Sequence, residues 1–209
     1  HSLVHPGLVD LQMNGFDDVD CSDADPGRLI ELDSRLASLG TTSYLATLIT
    51  AELDVMSGRI NRLAHAGLDG CIGLHLEGPF LGSATGAHAA SLVRAPDPGW
   101  LADLPDFVRL VTIGTEHPAS VEATRLLCSK GVVVSAGHTR PDREQWNDAL
   151  TAGIRMVTHL FNAMSGIHHR DFGLALAALT DDRVVTGLIA DMHHVQPDAV
   201  RVAFAVKPH

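Results

Sequence analysis

The feature that most constrains this chain's fold is a regular alternation of apolar runs and helix-like segments. Seven runs rich in aliphatic and β-branched residues recur, at Leu8–Asn14, Thr42–Ile49, Cys71–Glu77, Val108–Gly114, Val132–His138, Arg155–Leu160 and Val184–Asp191. Nearly continuous apolar character is typical of parallel strands that are buried on both faces. Between the runs lie segments with helical apolar spacing, at Pro26–Leu39, Ala51–Ala66, Pro118–Lys130 and Pro141–Ala152.

Proline and glycine mark the ends of these segments. Prolines that suit a first helical turn stand at Pro26, Pro118, Pro141 and Pro197, and glycines follow the helix ends at Gly40, Gly67, Gly131 and Gly153. Seven successive β/α units predict an α/β fold of the (β/α)8 TIM-barrel type, with the eighth strand missing from this chain. An open doubly wound sheet is the alternative. No GxGxxG or GxxxxGK[ST] loop indicates nucleotide binding.

Composition excludes several classes of protein. The formal net charge of −10 argues against a nucleic-acid partner, because phosphate backbones require basic patches. No apolar run reaches the roughly 18 residues of a membrane span, and we see no signal peptide. The three cysteines form no CxxC pair, which fits a reducing cytoplasm, and we expect Cys71 and Cys128 to be buried.

Polar residues interrupt the predicted strands at their carboxyl ends, where barrel enzymes carry their catalytic groups. Glu77 ends the third strand, His138 the fifth and His159 the sixth. Each residue alone is more often a satisfied polar side chain or part of a turn. Together, one carboxylate and two imidazoles from three strands predict a divalent metal site that leaves a position open for water.

Several runs carry a family resemblance: HPGLVDLQMNG, TTSYLATLIT, GLHLEGPFL, GAH, VVVSAGHT, THLFNAM and LIADMHHV. They cover nearly the whole chain, and with them it resembles the N-acetylglucosamine-6-phosphate deacetylase family of the amidohydrolase superfamily. The resemblance implies that residues 1–209 form a single metal-dependent hydrolase barrel domain. The small β-sandwich that flanks this barrel in the family is expected to be absent.

The resemblance also assigns residues to roles. It makes Glu77, His138 and His159 the metal ligands, and His88 the residue that polarises the acetyl carbonyl. The positions that match substrate-binding residues of the family are Ala87, His88, Asn162, Ala163, Arg170, Asp191 and His194. The family's counterpart of Arg170 pairs with the sugar phosphate, often across a dimer interface, so a homodimer is expected; the alternative is a solvated loop charge. We expect His168, His169 and His193 to be polar side chains exposed to solvent, without a role in the site.

Two departures from the superfamily pattern shape these expectations. Gln12 and Asn14 occupy the positions of a metal-binding His-x-His pair, and neutral amides are poor zinc ligands. We therefore expect one divalent metal ion, zinc first, with iron or another divalent ion as alternatives. The proton-transferring Asp of the family ends the eighth strand, so this chain is expected to lack its general base, for which Asp191 is no obvious substitute.

The function that the resemblance implies is hydrolysis of the acetamide of N-acetylglucosamine 6-phosphate, in cytoplasmic amino-sugar catabolism. A second possibility is deacetylation of N-acetylgalactosamine 6-phosphate or of another N-acyl substrate. A third is a non-catalytic protein that binds metal and sugar phosphate.

Overall fold

The computed structural model describes residues 6–208, in which strands and helices alternate. In chain order the elements are β1 (Leu8–Met13), β2 (Gly15–Phe16), β3 (Val19–Asp20), α1 (Pro26–Ser38), β4 (Thr41–Ile49), α2 (Leu53–Ala64), β5 (Cys71–Glu77), a 3-10 helix (Ala90–Leu92), α3 (Pro98–Ala102), β6 (Val108–Ile113), α4 (Ser120–Ser129), β7 (Val133–Ala136), α5 (Arg143–Ala152), β8 (Met156–Val157), α6 (Leu174–Thr180), β9 (Val185–Thr186) and α7 (Pro197–Val206).

The seven-stranded sheet follows the order of the chain. Its strands run β1-β4-β5-β6-β7-β8-β9 with parallel neighbours, while β2 and β3 form a separate antiparallel hairpin. A doubly wound sheet reverses the direction in which strands are added, at its switch point. The sequential order therefore excludes the doubly wound alternative and confirms the α/β barrel type.

Side chains that meet inside the sheet show that it is curled. His75 on β5 lies with Nδ1 3.0 Å from the carbonyl oxygen of Leu11 on β1, although β4 runs between these strands. The hydroxyls of Thr112 on β6 and Thr158 after β8 lie 2.7 Å apart, although β7 runs between them. Strands two positions apart in a flat sheet are separated by roughly 10 Å. The strands therefore curve around an interior, as in a TIM-type barrel, and β1 and β9 lie at the two ends of the sheet.

The helix ends agree with the proline and glycine positions predicted from the sequence. Asp25 caps α1 by accepting a hydrogen bond from the Arg28 backbone N–H, and Asp142 and Gln145 form a capping box at α5. All four glycines predicted after helix ends have positive φ angles, between 68° and 127°. α1 and α7 begin at their prolines, whereas α4 and α5 begin two residues after theirs.

The last two predicted strands are much shorter than expected. The predicted strands Arg155–Leu160 and Val184–Asp191 reduce to two residues each, Met156–Val157 and Val185–Thr186. After β8 the backbone enters the left-handed region at His159, with a φ of 35°, which ends the extended conformation. The helices α3 and α6 and the β2–β3 hairpin were not predicted, because they are too short for periodicity to define.

One large apolar cluster fills the space between the sheet and the helices. It includes Leu29, Leu32 and Leu36 from the inner face of α1, all at most 3% exposed. Cys71 is buried as expected, and Cys21 is buried too. Cys128 was expected to be buried but is only half-buried; all three are free thiols. Within residues 6–208, every helix is too short or too polar to cross a membrane.

Candidate metal centre

The three predicted metal ligands converge at the carboxyl ends of their strands. Glu77 is the last residue of β5, and His138 and His159 follow β7 and β8 by two residues. The Nε2 atoms of His138 and His159 lie 3.2 and 3.0 Å from Glu77 Oε1, and 2.9 Å from each other. All three residues are at most 6% exposed. Three ligand-type atoms thus face one another in a buried position.

The backbone at both histidines is unusual. His138 has a φ of 50° and His159 a φ of 35°, in the left-handed region that non-glycine residues rarely adopt. Strain of this kind costs about 1–3 kcal/mol per residue and persists only where surrounding structure enforces it. At both positions the turn directs an imidazole toward Glu77.

Electrostatics favour an ionised carboxylate at the centre. Burial alone would raise the pKa of Glu77, but the imidazoles of His138, His159 and His88 that surround the carboxylate outweigh burial and hold this pKa well below its usual range. A carboxylate with two imidazole nitrogens is a ligand set that Zn²⁺ and other divalent ions accept. The residues present therefore fit the predicted ion.

A fourth candidate ligand lies beside these three. His88, in the loop after β5, has Nε2 3.6 Å from Glu77 Oε2, and its ring centroid is 4.3 Å from that of His138. Glu77, His88 and His138 offer ligand atoms within 4.8 Å of one another, so they form an alternative ligand set. Both sets share Glu77 and His138 and differ in whether His159 or His88 completes them.

Gln12 contacts the centre directly. Its Nε2 donates a hydrogen bond of 2.9 Å to Glu77 Oε1. The Gln12 amide thus holds the Glu77 carboxylate in place. The sequence predicted only that Gln12 is a poor ligand, and it gave no signal for this contact.

Glu116 joins the loops that carry the centre, and sequence reasoning missed it. Its carboxylate accepts hydrogen bonds from the backbone N–H and hydroxyl of Ser83, after β5, and from the Thr139 hydroxyl, after β7. Gly82 N–H also donates to the carbonyl oxygen of His138, at 3.0 Å. Glu116 lies just beyond the end of β6, so the search for polar residues at strand ends could have included it.

Two of the predicted substrate residues lie on the turn after His159. Asn162 Nδ2 donates to the carbonyl oxygen of His159 at 3.4 Å, and the Ala163 carbonyl accepts from the Thr139 N–H at 3.2 Å. A Cβ on Gly86 would lie 3.5 Å from the Ala163 Cβ, so the loop with Ala87 and His88 passes beside this turn. Asn162 and Ala163 therefore border the cluster.

Asp191 and His194 line an open cleft between β1 and β9 that also reaches His159 and Gln12. Asp191 Oδ2 lies 2.7 Å from His194 Nδ1, and its Oδ1 accepts from the backbone N–H of His193 and His194. These bonds, led by the His194 backbone, hold the pKa of Asp191 well below its usual range. His194 is thereby held at the cleft.

Arg170 is not brought to the cluster. It is exposed on the loop before α6, and its guanidinium forms no ion pair with another residue in the described range 6–208. His168, His169 and His193 are exposed as well, in agreement with the surface polarity expected of them.

Comparison with curated proteins identifies relatives along nearly the whole chain; no family model matches it. The N-acetylglucosamine-6-phosphate deacetylase of Bacillus subtilis (strain 168) is 36% identical over 219 residues, covering 99% of this chain and 55% of its own length. The protein of the same name from Homo sapiens is 36% identical over 228 residues, with the same coverage of both chains. The N-acetylgalactosamine-6-phosphate deacetylase of Escherichia coli O157:H7 is 33% identical over 211 residues, covering 95% and 55%.

Solved structures give the same result. The N-acetyl-D-glucosamine-6-phosphate deacetylase of Mycobacterium smegmatis superposes with a TM-score of 0.91 at 34% identity, covering 96% of this chain and 55% of that one. A variant of that enzyme in complex with N-acetyl-D-glucosamine-6-phosphate gives 0.85 at 35% identity, covering 96% and 54%. The chain spans about half the length of the curated relatives it matches. Over nearly its whole length, this chain is a homologue of the N-acetylglucosamine-6-phosphate deacetylases of the amidohydrolase superfamily.

Proposed function

We propose that the protein carrying this chain is a metal-dependent deacetylase that hydrolyses N-acetylglucosamine 6-phosphate to glucosamine 6-phosphate and acetate. The observation that carries the proposal is the buried convergence of Glu77, His138 and His159, with ligand-type atoms 2.9–3.2 Å apart, in a homologue of such deacetylases. The reaction would belong to amino-sugar catabolism.

We assign one divalent ion to Glu77, His138 and His159, with Zn²⁺ preferred over Fe²⁺ or another divalent ion. When bound, such an ion acidifies a water molecule and polarises a carbonyl oxygen. The His138 Nδ1 lies 3.0 Å from the Ala84 carbonyl oxygen, which can only accept, so this nitrogen carries the proton and Nε2 presents its lone pair to the centre. Gln12 would hold the Glu77 carboxylate in place through its hydrogen bond to Oε1.

Other residues of the chain would bind and orient the sugar phosphate. His88, whose Nε2 faces the centre, is placed to donate a hydrogen bond to the acetyl oxygen as negative charge develops on it. Asn162, Ala163 and Ala87 border the same space, and His194 lines the adjoining cleft. Phosphate contacts away from the reacting bond supply binding energy that positions the acetamide.

Arg170 is proposed to reach the phosphate of a substrate bound by a second copy of the chain, in a homodimer. Its exposure supports that role, as does the lack of an ion pair to its guanidinium among residues 6–208, because a cation already paired within its own chain would be unavailable to a partner's ligand. A cytoplasmic location is proposed from the three free thiols, since thiols persist in reducing compartments.

Two alternative functions are kept, the first because of the name of a relative and the second because it needs the same residues. The relative from Escherichia coli O157:H7 is named for the N-acetylgalactosamine 6-phosphate epimer, and its identity to this chain is within a few percent of the others. A non-catalytic protein that binds metal and sugar phosphate would use the same ligands and the same cleft.

The test is acetate release by the zinc-loaded protein that carries this chain, from the two epimeric 6-phosphates, with Glu77→Gln as the inactive variant. Glu122→Gln, on the exposed face of α4, is the matched control. We expect faster turnover of the glucosamine-type substrate, loss of activity in Glu77→Gln and full activity in the control. Faster turnover of the galactosamine epimer would favour the first alternative. Tight binding of the sugar phosphate without acetate release would favour the second.

A further inference from the structure

Thr50 contacts His88 at Nδ1, while the other ring nitrogen, Nε2, faces Glu77. It follows β4 directly, is 8% exposed, and was given no role by the sequence. Its backbone N–H donates to His88 Nδ1 at 3.4 Å, and its hydroxyl oxygen lies 2.8 Å from the same nitrogen. A backbone N–H can only donate, so His88 Nδ1 must present a lone pair to it.

This contact fixes where the His88 proton resides. A neutral imidazole carries one proton, and when Nδ1 accepts hydrogen bonds the proton is on Nε2. His88 Nε2 lies 3.6 Å from Glu77 Oε2, so its N–H points toward the centre. The neighbouring His138 has the opposite arrangement, because its Nδ1 faces the Ala84 carbonyl and its Nε2 is unprotonated. His88 and His138 are therefore held as opposite tautomers by the contacts that their Nδ1 atoms make with Thr50 and Ala84.

The backbone around Thr50 leaves room for its hydroxyl. Gly78, which follows Glu77, has a φ of 89°, and a Cβ built on it would lie 2.1 Å from Thr50 Oγ1. The same hydroxyl could also donate to the carbonyl oxygen of Glu77, at 3.4 Å, but its contact with His88 Nδ1 is shorter, at 2.8 Å, so we assign its one proton to that nitrogen. A side chain at position 78 would displace the hydroxyl, so glycine there preserves the contact between Thr50 and His88.

We propose that Thr50 is a positioning residue that holds His88 as an Nε2–H hydrogen-bond donor and keeps it out of the metal-ligand set. A protonated nitrogen has no lone pair for a metal, so Glu77, His138 and His159 remain the ligands although His88 Nε2 lies only 3.6 Å from Glu77 Oε2. That the acetyl oxygen receives this hydrogen bond rests on the proposed function, whereas the tautomer of His88 does not.

The tautomer is measured directly by ¹⁵N NMR of the histidine side chains in the zinc-loaded protein, with His88→Gln assigning the His88 signals. We expect His88 Nδ1 to give the signal of an unprotonated nitrogen and Nε2 that of a protonated one. Thr50→Val keeps the backbone N–H but removes the shorter hydroxyl contact, so it should shift both signals part of the way toward an average of the two tautomers, and Thr50→Ser should restore them. Thr124→Val, which removes a buried hydroxyl within α4, is the matched control and should leave them unchanged.

Ligand binding gives a second readout. Thr50→Val should weaken binding of N-acetylglucosamine 6-phosphate about tenfold, the effect of one hydrogen bond, and leave binding of glucosamine 6-phosphate, which has no acetyl oxygen, unchanged. An unprotonated His88 Nε2 in the unaltered protein, or loss of zinc in His88→Gln, would overturn the proposal. So would equal weakening of both ligands. If the unaltered protein binds neither sugar, the proposed function fails while the NMR result still decides the role of Thr50.

Discussion

A row of buried hydroxyls crosses the interior beside the candidate metal centre, and the direction of each of its hydrogen bonds can be assigned. Burial lowers the pKa of His75 to about 4, so its ring is neutral near pH 7. His75 Nδ1 lies 3.0 Å from a carbonyl oxygen and carries the proton, so Nε2 accepts from the Thr112 hydroxyl at 2.7 Å. Thr112 then accepts from Thr158, at 2.7 Å, and Thr158 accepts from Ser135, at 2.6 Å.

Thr158→Val removes the central hydroxyl of this row while keeping the shape of the side chain. Ser135 and Thr112 are fully buried, so neither hydroxyl can turn to bulk water. Ser135 loses the hydrogen bond of 2.6 Å that satisfied its hydroxyl, at about 1–3 kcal/mol, and Thr112 loses one of two bonds, at about 1 kcal/mol. We expect the free energy of unfolding to fall by about 2–4 kcal/mol.

The assay is urea unfolding of the metal-free protein, followed by circular dichroism, for Thr158→Val, Ser135→Ala and the double variant. Thr158→Ser, which keeps the hydroxyl, is the control and should be much closer to the unaltered protein. Because Ser135→Ala removes the group that Thr158→Val leaves unpaired, the double variant should be no less stable than Thr158→Val. A loss below about 0.5 kcal/mol for Thr158→Val, or additive losses in the double variant, would refute the assigned row.

Four further predictions follow from individual residues. Gln12→Ala should weaken zinc binding about tenfold in a calorimetric titration, because the amide no longer holds Glu77; an unchanged affinity would contradict this. Burial raises the pKa of Cys21 to about 12, so in the native protein Cys128 should react with a thiol reagent well before Cys21. Since the thiols of the unfolded chain ionise near pH 9, stability should fall as the pH rises from about 9 toward 12, which urea unfolding across that range would show. Arg170→Ala should weaken binding of the 6-phosphate sugar but not of the unphosphorylated sugar, and equal losses for both would argue against phosphate recognition.

The strand and helix pattern was predictable wherever apolar periodicity extended over enough residues. β4, β5 and β6 begin and end within one residue of their predicted bounds, because each is a long run buried on both faces. β8 and β9 were overestimated, since their apolar character continues past the point where the backbone turns. The turn is set by left-handed conformations at His159 and Phe161, which are not glycines and carry no local sequence signal.

The convergence of the three candidate ligands was predictable because their chemistry and their position at strand ends both mark them. The polar residues that support the site were not predictable, since Thr50, Gln12 and Glu116 are common residue types that act through contacts across the fold. Thr50 is 38 positions from His88, Gln12 is 65 positions from Glu77, and Glu116 is 23 positions from Thr139. Contacts over such distances depend on how the strands curl, which periodicity does not specify.

The central claim is that Glu77, His138 and His159 hold one divalent ion, and metal stoichiometry tests it most directly. Elemental analysis after zinc loading and gel filtration should give about one equivalent per chain for the unaltered protein, for Glu122→Gln and for His88→Gln. The double variant Glu77→Gln/His159→Ala should retain none. One equivalent retained by the double variant, or an ion lost from His88→Gln but kept by His159→Ala alone, would contradict the assigned ligands.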